Sequence, residues 1–203
     1  HLGVEQENAL TISSSIVDWI DNDKIIFNPP YGAEDDFYQP IGYATKNKPF
    51  DSIEEILLIR GMNKNIYQKL KDYITIYPTN GSLLINLDSA SKEVLIALAE
   101  NFVGGQTNTT LEDAQSLIEK IITYRTSQTD ITLSNQERAV EPNKLSLNSK
   151  ENAIFLSMQS LRQRVPQFVN IHIVATDQKT QASTGLVATL QLSDYTIKRW
   201  QRN

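Results

Sequence analysis

Cysteine is absent, and histidine occurs only as His1 and His172. The first absence excludes disulfides and thiolate metal sites. The second leaves no imidazole set for zinc, so any bound ion would have to be held by oxygen. Neither fixes a compartment, because proteins of oxidising spaces can dispense with cysteine. Long apolar runs are also missing. The longest, EILLIRGM and EVLIALAENF, fall well short of the roughly 18 residues that span a bilayer and read as core helix segments. Positive charge is in deficit, with 19 Lys and Arg against 24 Asp and Glu and a net charge of −5. That balance argues against nucleic acid as the main partner, since phosphate binding needs a basic face. The chain opens on HLGVEQENAL without an initiating Met, and the expectation is a fragment whose true start carries any targeting segment.

What is present suffices for a core: 40% of the 203 residues are hydrophobic, enough for one large domain or two small ones. In residues 4–20, Leu10, Ile16, Val17 and Ile20 share one helical face, which predicts a helix ending near Asp21. Ser52 and Glu55 have capping-box spacing ahead of Ile56, Leu57 and Ile59, and Gly61 suits a left-handed stop. Asn63 can cap a second helix that turns Ile66, Tyr67, Leu70, Tyr73 and Ile74 inward; Pro78 follows as a stop. Asp88 or Ser89 is expected to cap a helix through Phe102, broken by Gly104-Gly105. Thr110 and Asp113 cap another, with Leu111, Ala114, Leu117, Ile118 and Ile121 as its stripe. Residues 127–150 are polar, contain Pro142 and read as a long loop; residues 151–162 read as helix.

After that the period changes from helical to alternating. In QFVNIHIVATD, Phe168, Asn170, His172 and Val174 fall on one side and Val169, Ile171, Ile173 and Ala175 on the other. STGLVATLQLS and YTIKRWQ continue in this style, with residues 178–184 as a hairpin loop. The prediction is a three-strand antiparallel meander closing an α+β chain, its apolar face covered by the first helix.

Residues 18–38, DWIDNDKIIFNPPYGAEDDFY, gather six carboxylates around a Pro-Pro turn with one lysine among them. Like charges this close repel unless something positive sits between them. Calcium takes about six to eight hard oxygen ligands, and Asp21, Asp23, Glu34 and Asp35 could supply them, folded together by Pro29, Pro30 and Gly32. Asp18 falls on the helix, and Asp36 toward solvent. The loop is not an EF-hand: counting from Asp21, Ile25 stands where a ligand belongs and Ile26 where the turn glycine belongs. The plainer alternative is a solvated acidic loop with an Asp capping a helix. Tyr31, Phe37, Tyr38 and Tyr43 crowd the same region and read as packing.

Other constellations are weaker. LLIRGMNKNIYQKL has the outline of a helix-hairpin-helix, but Gly61 is followed by Met62 and Asn63, so the second hairpin glycine is missing. A nucleic-acid-binding module is the alternative reading it offers. Glu54 and Glu55 are adjacent on a helix and do not face each other, His172 alternates with strand neighbours, and Ser13 to Ser15 have no histidine partner. No enzyme is expected; a calcium-dependent enzyme is a weaker third reading.

The ordered motifs DWIDND, GAEDDFY, KNKPFDSIEEILLIRGM and INLDSASKEVLIAL, spread over residues 18–98, resemble the K-type minor pseudopilins of bacterial type II secretion systems. The resemblance implies a pilin-like N-terminal helix packed on an antiparallel sheet, with a large all-α domain inserted between. Residues 1–20 and 161–203 would form the pilin-like domain, and residues 21–160 the acidic loop and insertion. It implies a periplasmic protein held in the inner membrane by a missing N-terminal helix. It also implies a place at the pseudopilus tip with I- and J-type minor pseudopilins as partners, contact with the outer-membrane secretin or with cargo, and structural calcium.

Overall fold

The computed structural model describes residues 3–78, 83–104, 108–128 and 132–202. The chain divides into two compact units, His1–Asn80 and Gly81–Asn203. Helices plus a three-strand antiparallel sheet give the α+β class expected from the sequence. The grouping of residues 1–20 with 161–203 concerns the relation between the units and remains an expectation.

In the first unit, α1 (Gln6–Ile20) matches its predicted span but buries a different face. Ile12, Ser14, Ser15, Asp18 and Trp19 are buried, whereas Leu10, Ile16 and Val17 are half-buried and Ile20 is 39% exposed. Small serines let the following loop come close: Ser15 Oγ donates to the Tyr31 carbonyl at 3.2 Å. Trp19, Ala33, Tyr38, Ile56 and Ile59 form the core, with the Trp19 ring edge-on to Tyr38 at 5.2 Å and to Tyr43 at 6.1 Å. Such ring pairs add about 0.5–1.5 kcal/mol each beyond the area they bury.

The segment from Ser52 departs from its reading as a capped α-helix. Ile53–Leu58 is a 3₁₀ turn, and Ser52 makes no side-chain cap. Glu55 is drawn elsewhere: Oε1 accepts from Trp19 Nε1 at 3.1 Å, and Oε2 from Lys46 and the Asp51 amide, both at 2.9 Å. Gly61 does take a left-handed backbone, φ +83°, and a Cβ there would lie 2.8 Å from Asn8 Oδ1 and close to Thr11 and Ile12 of α1. Asn63 caps α3 (Lys64–Leu70) by accepting from the amides of Asn65 and Ile66 at 2.9 and 3.0 Å. Two short helical pieces, α2 (Asp35–Tyr38) and the turn Gln39–Ile41, carry the chain away from the acidic loop.

The second unit holds α4 (Lys92–Glu100), α5 (Leu111–Ser127), α6 (Asn135–Arg138) and α7 (Ser149–Gln159). The cap of α4 is Ser91 rather than Asp88 or Ser89, and the helix stops before Phe102. Asp88 has long-range partners instead, accepting from the Val140 amide at 2.7 Å and from Arg162 Nη2 at 2.8 Å. Gly104 is left-handed at φ +90°; Gly105 lies outside the described residues. The Thr110–Asp113 capping box forms as expected, and Ala114, Leu117, Ile118 and Ile121 are buried, but Leu111 is exposed. The described part of residues 127–150 is a packed strap rather than a long loop. Ser134 and Glu137 cap α6, Pro142–Lys144 is a 3₁₀ turn, and Val140 and Leu145 enter the core beside Leu95, Leu117 and Phe155.

The strands are β1 (Phe168–Thr176), β2 (Ser183–Gln191) and β3 (Thr196–Arg202), in the order β1-β2-β3 and antiparallel throughout. Ile171, Ala188 and Trp200 occupy one rung, so the predicted alternation holds and puts most of the apolar residues on one face, with Phe168, Val174 and Val187 on the other. The loop between β1 and β2 is pinned by Asp177 Oδ1, which accepts from the amides of Lys179 and Thr180 at 2.8 Å.

Candidate metal centre

The acidic loop is shaped by a residue that belongs to the helix before it. Asp18, fully buried on α1, accepts from the Phe27 amide through Oδ1 at 2.8 Å and from the Ala33 amide through Oδ2 at 2.6 Å. Gly32 is needed where these groups meet, because a Cβ there would lie 2.2 Å from Asp18 Oδ2. Arg60 clamps the outside of the loop, donating through Nη1 to the carbonyls of Pro30 and Gly32 at 3.1 and 2.8 Å. Its guanidinium lies over the Phe37 ring at 5.1 Å. The loop is therefore fixed from both sides, and its acidic ends are brought back together.

Asp21, Asp23 and Glu34 each present a carboxylate oxygen within 4.8 Å of the others. Two oxygens bound to one calcium at ~2.4 Å can be at most ~4.8 Å apart, so this spacing suits a single ion. Glu34 is 6% exposed, and neither of its oxygens has a hydrogen-bond partner; Asp21 Oδ1 is also buried and unpartnered. A buried carboxylate without a partner is costly when ionised. Burial raises the Glu34 carboxyl above its ordinary range, and the charges of Asp18, Asp21 and Asp35 add to the effect. Burial likewise raises Asp21, helped by Asp23 and Asp18. Asp23 is exposed and uses Oδ1 to accept from the Ile25 amide at 2.8 Å. Hard oxygen donors, with those of Glu34 and Asp21 Oδ1 unpartnered, fit a divalent cation of the calcium type.

Asp35, the fourth residue singled out from the sequence, lies outside this group. Its Oδ1 accepts from Thr45 Oγ1 at 2.6 Å and the Thr45 amide at 3.0 Å, and Lys24 Nζ is 4.0 Å from Oδ2. The Thr45 bonds, assisted by Lys24, hold the Asp35 carboxyl below its ordinary range. Adjacent acids thus face opposite environments, Glu34 inward and Asp35 toward Thr45.

Asp18 lies on the helix as expected, but its role in the loop, like the placement of Asn47, was not anticipated from the sequence. Asp18 organises the loop, and its signal was only that it repeats the acidic pattern one turn before Asp21. Asn47, left-handed at φ +53°, has a buried Oδ1 without a partner, and its amide donates to the Trp19 carbonyl at 2.9 Å. Its signal was the Asn-Lys-Pro of the third motif.

The family-model comparison falls on the unit that carries this centre, and the others extend beyond it. Residues 1–79 match the family model described as type II secretion system (T2SS), protein K. The type II secretion system protein K of Klebsiella pneumoniae is 31% identical over 122 residues, covering 59% of this chain and 35% of that protein. The corresponding protein of Aeromonas hydrophila is 31% identical over 122 residues, covering 58% and 34%. A putative protein K of Escherichia coli K12 is 32% identical over 126 residues, covering 58% and 35%. The chain spans about a third of the length of these curated relatives. A chain of the crystal structure of the GspK-GspI-GspJ complex from the enterotoxigenic Escherichia coli type 2 secretion system shares the fold, with a TM-score of 0.64 at 16% identity. That match covers 100% of this chain and 66% of the other. Through residues 1–79 the chain is similar to the type II secretion system protein K family.

Proposed function

We propose that this chain is part of a minor pseudopilin that assembles with I- and J-type minor pseudopilins at the tip of a type II secretion pseudopilus, serving protein export across the outer membrane. The observation that carries the reading is the match of residues 1–79, the unit that folds around Asp18, Trp19 and the acidic loop, to protein K. The likeness of fold to a chain solved in a complex with two sister proteins supports the choice of partners. Its work is binding rather than bond-making. The intact protein is periplasmic and held in the inner membrane by a segment outside these residues; no described helix is long and apolar enough to cross a membrane. The secretin or the exported cargo is a further partner.

Asp21, Asp23 and Glu34 hold a structural calcium ion in this reading, which neutralises the inward-facing carboxylates and ties the end of α1 to the start of α2. Asn47 Oδ1 is a candidate neutral donor. The hairpin at Gly61 gives the nucleic-acid alternative no support, since the glycine is packed against α1 and lacks the open face a phosphate would need.

The test is co-elution of this chain with candidate I- and J-type partners, in calcium and in excess chelator. A stable ternary complex in calcium supports the assembly role. Failure to co-elute in both conditions removes it, and equal co-elution in both removes the structural role of the ion.

A further inference from the structure

In the second unit a cleft of about 1010 Å³ opens between the end of α5, α6, the segment before α4 and residues 164–166. Three arginines, Arg125, Arg138 and Arg164, line it, against one carboxylate, Asp88. That bias is opposite to the chain's net charge of −5.

Most of the negative charge nearby is already spoken for. Asp88 is held by Arg162 and by the Val140 amide, and Glu141 is shared by Arg162 and Arg164. Arg125 and Arg138 have no ion-pair partner among the described residues. Arg125 is half-buried and donates Nη1 to the Ala90 carbonyl at 2.6 Å. Arg138 is half-buried and meets only the Asn135 side chain, at 3.3 Å. Burial lowers the Arg125 pKa from its usual value, against the charge of Asp88, so an anion beside it would relieve a standing cost.

The rest of the lining narrows the ligand. Asn86, Gln128, Asn135 and Gln136 line the cleft; Asn86 is already engaged by the Arg164 carbonyl and the Asp88 amide, which leaves N–H donors of Gln128, Asn135 and Gln136 to meet a main-chain carbonyl. Ile122 and Val165 add apolar surface. The volume is at the upper end of the ~300–1,000 Å³ usual for ligand pockets, far more than one small anion fills. The two unpaired guanidiniums sit on separate elements, α5 and α6, which favours carboxylates spaced along a chain.

We infer that this cleft binds an extended acidic peptide segment of a partner protein, its Asp or Glu carboxylates on Arg125 and Arg138 and its main chain on the side-chain amides. The inference uses no residue of the metal centre and does not depend on which complex the chain joins.

The test is fluorescence anisotropy with fluorescein-labelled Gly-Ser-Asp-Glu-Asp-Ser-Gly and with the same peptide carrying Asn and Gln for its acids, in roughly 0.15 M salt, where exposed charges are screened beyond about 8 Å. The acidic peptide should bind about tenfold more tightly, and Arg138→Gln and Arg125→Gln should each weaken it severalfold. Arg125 supports the Ala90 carbonyl and its variant can lose fold, so Arg138→Gln, checked by a thermal melt, decides alone in that event. Equal binding of the two peptides overturns the proposal, as does indifference to Arg138→Gln. Displacement of the peptide by millimolar inorganic phosphate also overturns it, by showing a small-anion site.

Discussion

Glu34 and Glu151 are both buried, 6% and 1% exposed, one in each unit, and the two units treat them in opposite ways. Around Glu151 the protein supplies every partner. Ser116 Oγ donates at 2.7 Å, Lys120 Nζ at 2.6 Å and the Asn148 amide at 2.7 Å, the last as part of the cap of α7. Burial alone would raise this carboxyl, but Lys120, Ser116 and Asn148 together outweigh it and hold it below the ordinary range. Around Glu34 the charged neighbours are other acids, and burial with their charges raises its carboxyl despite Thr45 nearby. One glutamate is neutralised from within the fold; the other, in the proposed reading, is neutralised by an ion from outside it. Burial therefore does not decide what a carboxylate is for; the sign of what surrounds it does.

The largest effect should come from breaking the closed case. Glu151→Ala removes a buried anion from Lys120, Ser116 and the α7 cap at once, and should cost about 3 kcal/mol in urea unfolding, the same in calcium as in chelator. A loss that depended on calcium would erase the distinction between the two sites. Next is the open case. For the unsubstituted chain, calcium at about a hundred times its Kd should add about 2.7 kcal/mol. Glu34→Gln should abolish that gain while leaving the chelated protein as stable as before or more so, because it replaces an unpartnered charge with a neutral amide. If Glu34→Gln destabilised the chelated protein as Glu151→Ala does, the account of Glu34 would be wrong.

Titration sharpens the contrast with a smaller effect. Glu34 and Asp21 ordinarily titrate near 4.5 and 3.8 and are raised in the folded chain. Without metal, their contribution to stability is complete below those ordinary values and is lost as pH rises through the raised ones. Glu151, lowered in the fold, contributes above 4.5 and loses that contribution as pH falls through its lowered value. Calcium needs Glu34 and Asp21 ionised, so the melting-temperature increment from calcium should grow from about pH 4 to about pH 7 and be flat in Glu34→Gln. An increment that shrank with rising pH would exclude these carboxylates as the ligands.

The same contrast explains what could be read before the fold was known. Thr110 with Asp113 and Asn63 with its two amides act within three residues, and both were legible. Glu55 and Asp88 have the right spacing for local caps, but their best partners are Trp19 and Arg162, 36 and 74 residues away, and long-range geometry won. Val140 and Leu145 are isolated apolar residues in a polar stretch, with no periodicity to announce that both enter the core. The face of α1 was misjudged because its buried side is partly polar: Ser14, Ser15 and Asp18 serve the loop rather than an apolar neighbour. At the centre, composition located the acidic cluster that Asp21, Asp23 and Glu34 form. It could not separate Glu34 from Asp35, since that choice is made by Thr45, ten residues beyond Asp35.

That last choice yields the smallest expected effect and the finest test of the site. Asp35 has its Oδ1 engaged twice by Thr45 and Oδ2 near Lys24, whereas the oxygens of Glu34 next to it are free. If Asp35 is structural, Asp35→Asn keeps an oxygen to accept from Thr45 and should shift the calcium midpoint by less than about threefold, roughly 0.7 kcal/mol on the binding free-energy scale. Glu34→Gln in the same titration should remove measurable binding. If Asp35→Asn instead weakened calcium tenfold or more, Asp35 would be a ligand after all. Its carboxylate would then have to leave Thr45 when the ion binds, and the loop between Glu34 and Thr45 would be the part of this unit that moves.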